Sequence, residues 1–97
     1  MKNLNILKNI FRKSFQIDLD DKYCYPNDKE FVMADSRIIK IEIERYCAKN
    51  NQTVAFLTNE KPIIFLLNGK EKYTASLKMG YGRYNQGYHI HCLELLD

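Results

Sequence analysis

The chain has 97 residues, 45% of them hydrophobic and 28% charged, with a formal net charge of +3. That is enough for one globular core, and too apolar for a disordered chain. The charge is too small for a uniformly basic nucleic-acid binder, and no run reaches the ~18 apolar residues of a membrane span. The three cysteines, Cys24, Cys47 and Cys92, form no CxxC pair. Neither a zinc ribbon nor a disulfide framework is indicated, and reduced thiols in a cytoplasmic protein are expected.

Residues 2–13 place Leu4, Leu7, Ile10 and Phe11 at spacings of three and four, which predicts an amphipathic N-terminal helix. It carries Lys2, Lys8, Arg12 and Lys13 and no acid, so it is a basic head on a near-neutral domain. Its lysines and arginine interrupt the apolar residues, unlike a secretory signal. Phe15-Gln16-Ile17-Asp18-Leu19 alternates as a half-buried strand does, and Asp20-Asp21 ends it.

A helix is predicted over residues 28–49, with Asn27 and Glu30 as a capping box, or from a later start capped by Asp35 or Ser36. Ile39-Lys40-Ile41-Glu42-Ile43-Glu44 also alternates with a strand period. Helix is preferred because Ile39, Ile43, Tyr46 and Cys47 share a helical face and Asn50-Asn51 supplies a stop.

The rest reads as a meander of strands over 53–58, 62–67, 72–79 and 88–95. Asn68-Gly69 is its strongest turn signal, because a type I′ turn needs two positive φ angles. The expected fold is α+β. An antiparallel four- to five-stranded meander packs on one long helix, with an extra N-terminal helix, in the order α-β-α-β-β-β-β. Residues 1–97 form a single domain, 1–13 being the basic helix and 14–97 the α+β core.

Strand phasing locates the candidate chemistry. Tyr73, Ala75, Leu77 and Met79 share one face of their strand, and Thr74, Ser76 and Lys78 the other. Pairing Met79 with Tyr88 sets Leu77 against Ile90 and Ala75 against Cys92 inside. Outside, Lys78 then lies beside His89 and Ser76 beside His91. The run Ile63-Ile64-Phe65-Leu66-Leu67 is apolar without alternation, as in a central strand covered on both faces. One cover is the long helix. The other would be the N-terminal helix, a partner chain or a ligand.

The candidate binding surface is therefore Ser76, Lys78, Tyr81, Arg83, Tyr84, His89 and His91. His89 and His91, about 6–7 Å apart on one strand face, are weak metal candidates only, since zinc needs three or four ligands and Cys92 points the other way. In the 80–87 segment Tyr81, Arg83 and Tyr84 can stack on bases or aromatic groups, and glycines let a ligand approach. Those glycines serve a hairpin loop equally well. Asp18, Asp20, Asp21 and Asp28 lack EF-hand spacing and read as a solvated strand end. Cys47 and Cys92 fall on buried positions, and no catalytic signature occurs.

Leu19-Asp20-Asp21, Tyr25-Pro26, Ile43-Glu44-Arg45-Tyr46-Cys47, Asn50-Asn51, Leu67-Asn68-Gly69-Lys70, Met79 and the 87–92 segment carry a resemblance. Over residues 15–93 the chain resembles a family of small bacterial domains of unknown function, found mainly in low-GC Gram-positive bacteria. Relative to that pattern it has extra residues around 31–37 and one near 70–72, the latter implying a bulge. The resemblance brings no activity with it.

The functional expectation is a non-enzymatic cytoplasmic module without a cofactor. It would contact a protein partner, or itself as a homodimer, through the sheet face or the Gly/Tyr loop. The alternatives are a nucleic-acid-binding domain using Lys2, Lys8, Arg12, Lys13, Arg83 and the loop tyrosines, and a metal- or ligand-binding domain at His89 and His91.

Overall fold

The computed structural model describes residues 12–80 and 87–96. The elements are β1 (Ser14–Asp18), a 3-10 turn (Asp21–Tyr23), α1 (Ser36–Lys49), β2 (Val54–Phe56), β3 (Ile63–Leu67), β4 (Glu71–Met79) and β5 (Tyr88–Glu94). They form one antiparallel five-stranded sheet in the order β1-β5-β4-β3-β2. The class is α+β and the meander from β2 to β5 is present. Among the described residues the order is β-α-β-β-β-β with one α-helix. The predicted N-terminal helix lies outside them except at its end, which is corrected: Arg12 and Lys13 are not helical. The Lys13 carbonyl accepts the Glu94 N–H at 2.9 Å, so the β1–β5 ladder already holds it.

The sheet order explains the helix. β1 and β2 are neighbours in sequence but occupy opposite edges, four strand spacings or about 19 Å apart. A helix of 14 residues spans about 21 Å. It crosses one face of the sheet, burying Ile39, Glu42, Ile43 and Cys47. Ile41 is 40% exposed, as helical rather than strand periodicity requires.

The helix starts late. Asp35 accepts the Ile38 N–H at 2.9 Å as its N-cap, satisfying one of the unpaired first-turn donors. The capping box at Asn27 and Glu30 does not form. Ala34, which a helix from residue 28 would contain, is fully buried outside it, and the Val32 N–H is taken by the Lys22 carbonyl at 2.8 Å. Tertiary burial therefore overrides the local cap signal.

An aromatic row runs across the covered face. Tyr46 stacks on Phe15 at 5.2 Å, Phe15 meets Tyr73 edge-on at 5.1 Å, and Tyr73 stacks on Phe65 at 5.7 Å. Phe56 meets Phe65 edge-on at 6.2 Å. Such pairs add roughly 0.5–1.5 kcal/mol each beyond their burial.

The turn at Asn68 (φ 55°) and Gly69 (φ 69°) has the predicted positive φ angles. Lys70 N–H closes it on the Leu67 carbonyl, and strand pairing resumes at Leu67 with Glu71. Asn68, Gly69 and Lys70 form the loop, and the β3–β4 register continues from Leu67–Glu71 without the expected bulge. β3 is an interior strand, as predicted, between β4 and β2. Ile63, Phe65 and Leu67 are buried under the helix, whereas Ile64 and Leu66 are half-buried, so the expected two-sided cover is not found among the described residues.

Candidate functional site on the open sheet face

The last hairpin adopts the predicted register: Met79 with Tyr88, Lys78 with His89, Leu77 with Ile90, Ser76 with His91 and Ala75 with Cys92. Ala75, Ile90 and Cys92 are buried beneath α1. Met79 shares their face but lies at its rim, 38% exposed. Ser76, Lys78, His89 and His91 project from the opposite face, as a period of two demands.

β1 adds what hydrophobic phasing alone did not supply. It pairs with β5 so that Asp18 stands beside His89 and Gln16 beside His91. Two polar rows result, Asp18–His89–Lys78 and Gln16–His91–Ser76. Further along the strands the same face becomes apolar: Leu93 beside Thr74, Thr74 beside Ile64, and Leu66 beside Ala55. Leu57 extends this half outward at 49% exposure. The outward position of Gln16 and Asp18 was implicit in the burial of Phe15 and Ile17. Their place next to the histidines depended on a strand pairing that no local pattern encodes.

Burial, then the Lys78 ammonium, then His89 hold the His91 imidazole below its ordinary range. It is therefore neutral at pH 7 and offers one donor and one acceptor. His89 Nδ1 is buried with no hydrogen-bond partner among the described residues. No hydrogen bond among them joins Ser76 Oγ to His91, so that pair is not an assembled nucleophile and base. Nor do they contain a group of three or more His, Cys, Asp or Glu placed to hold a metal ion.

The other predicted residues are dispersed. Tyr81, Arg83 and Tyr84 of the loop, and Lys2 and Lys8 of the basic patch, lie outside the described residues. Arg12 is exposed. Lys13 is engaged: its ammonium bonds Glu71 at 2.5 Å, and that hydrogen bond, with Glu71 and Glu94 charges, raises its pKa.

Gly87, the last residue of the predicted Gly/Tyr segment, has a packing role. A Cβ there would meet Tyr25 Cε1 at 3.0 Å and Cys24 Cβ at 3.1 Å. The Tyr88 N–H donates to the Cys24 carbonyl at 2.8 Å, so the strap after the 3-10 turn lies directly on the start of β5. All three cysteines are free. Burial raises the pKa of each, that of Cys92 to about 12, which leaves its thiol protonated and unreactive.

No protein-family model, curated protein or solved structure matches the chain. The resemblance to small bacterial domains of unknown function rests on the residue patterns alone. No helix among the described residues is long and apolar enough to cross a membrane.

Proposed function

We propose that this protein is a binding module whose open sheet face is a contact surface for another protein. One observation carries the reading. A five-stranded sheet is packed by a helix on one face, while no described element covers the other. That open face sets Ile64, Leu66 and Leu93 beside a strip of Gln16, His91, Ser76, Asp18, His89 and Lys78. The face is mixed, with Thr74, Ser76 and Lys78 of the central strand flanked by Ile64 and Leu66 of β3 and Leu93 of β5, and a mixed apolar and hydrogen-bonding surface is the usual composition of a non-obligate protein interface. The three free thiols fit a reducing compartment and so support a cytoplasmic place of action. Nucleic-acid and metal binding are supported less. Lys13 is neutralised by Glu71, and the histidine pair has no third ligand among the described residues.

The test is site-specific photo-crosslinking in the cell of origin. A photoreactive residue at Leu66 should trap one discrete protein, and one at Arg37, on the exposed side of α1, should not. Leu93→Lys should abolish the Leu66 adduct, and the purified pair should bind with an affinity that the same substitution reduces. Equal trapping at both positions, or none at Leu66, would sink the reading.

A further inference from the structure

We propose that β1 is a dimerisation edge: the β1 strands of two copies pair antiparallel about a two-fold axis at Gln16, joining two sheets into one. This edge adjoins the open face and shares Gln16 and Asp18 with it, but the proposal uses their outward backbone groups and does not rest on the protein-binding reading.

β1 ends the sheet, and no described strand pairs with it on the side away from β5. The ladder to β5 decides which of its backbone groups are free. The Glu94 N–H donates to the Lys13 carbonyl, and Phe15 and Ile17 lie in the same phase, opposite Cys92 and Ile90. In an antiparallel pair alternate residues exchange hydrogen bonds. Lys13, Phe15 and Ile17 therefore bond to β5, while Ser14, Gln16 and Asp18 direct N–H and C=O groups outward. All three are exposed.

Natural sheets blunt such an edge with proline, lysine, a bulge or extreme shortness. Ser14–Asp18 contains neither proline nor lysine, and its register with β5 is unbroken. The opposite edge, β2, is only three residues long. A groove of about 280 Å³ also opens between β1 and α1, with Gln16, Ile17 and Asp18 on one wall and Glu42, Arg45 and Lys49 on the other. α1 therefore does not close over this edge on the helix side.

The charge order selects a second copy as the occupant. Arg12 precedes the strand, with Lys13 held by Glu71, and Asp18, Asp20 and Asp21 end or follow it. Antiparallel self-pairing brings Arg12 to Asp18 and Asp20 of the second copy, whereas parallel pairing would set like charges side by side. Centring on Gln16 uses the whole strand: Gln16 faces Gln16, and Ser14 faces Asp18. Both are hydrogen-bonding pairs, giving about six bonds in all. Phe15 then lies beside Ile17 of the second copy on the helix side.

Sedimentation of the full chain from micromolar to millimolar concentration tests this. A monomer–dimer equilibrium that weakens with added salt is expected. Gln16→Pro removes an N–H that points away from β5, so it spares the internal ladder. It should keep the fold and raise the dimer dissociation constant at least about tenfold. In a Cys24→Ser background, Gln16→Cys should cross-link to its own copy under mild oxidation, and Ser14→Cys, which faces Asp18, should not. This pair decides the matter even if the proline variant fails to fold. A monomer at millimolar concentration overturns the proposal, including one that takes up an extended foreign peptide along β1. So does a dimer that Gln16→Pro leaves intact, or equal cross-linking at positions 14 and 16.

Discussion

The two faces of this sheet are built from the same strands and differ in what lies on them. Under α1, Ile63, Phe65, Ile90 and Cys92 are fully buried. On the other side their chain neighbours Ile64, Leu66, His89 and His91 are only half-buried. Fold stability is therefore concentrated on one face. The other can change with little effect on folding, which is the condition for a surface whose residues serve contact.

Adjacent residues of β3 give the sharpest test of that contrast. Phe65→Ala deletes a fully buried ring between Tyr73 and Phe56 and should cost about 3–5 kcal/mol in urea denaturation. Leu66→Ala, one residue on and facing outward, should cost about 1 kcal/mol or less. Equal losses would mean that both faces are packed, and the contrast would fail.

Gly87→Ala comes next. The added methyl would press on Cys24 and Tyr25 at about van der Waals overlap, and a loss of roughly 1–3 kcal/mol is expected from overpacking. An unchanged denaturation midpoint would show that the strap is loosely held and that the helix-covered side ends before β5 begins.

The smallest expected effect is on pH dependence, and it reads the open face alone. The His91 pKa is lowered in the fold, so as pH falls past about 6.5 the unfolded chain takes up its proton first. Stability should fall through that window and level off below the lowered folded value. His91→Gln should flatten this part of the slope between about pH 7.5 and about pH 5. An unaltered slope would place the imidazole in full contact with water.

Much of this arrangement was legible beforehand, for local reasons. Alternation in 73–79 and 88–92 placed Ala75, Ile90 and Cys92 inside and Ser76, Lys78, His89 and His91 outside, and the structure has that register. The turn at Asn68-Gly69 followed from the need for positive φ. The helix start did not follow, because Asn27 with Glu30 and Asp35 are comparable caps in isolation. The burial of Ala34 chose between them. The open side of β3 is not legible for a related reason: an unbroken apolar run shows that both sides can be buried, not that both are.

The sequence by itself determined the strand faces, the hairpin turn and the helical stripe of Ile39, Ile43 and Cys47, since each depends on backbone geometry within a few residues. Only the tertiary structure decided that β1 pairs with β5 at the far end of the chain, that α1 crosses from one edge to the other, and that Gln16 and Asp18 join the histidine strip. Those choices close long loops, and the loss of chain entropy is offset only when the whole covered face is buried at once.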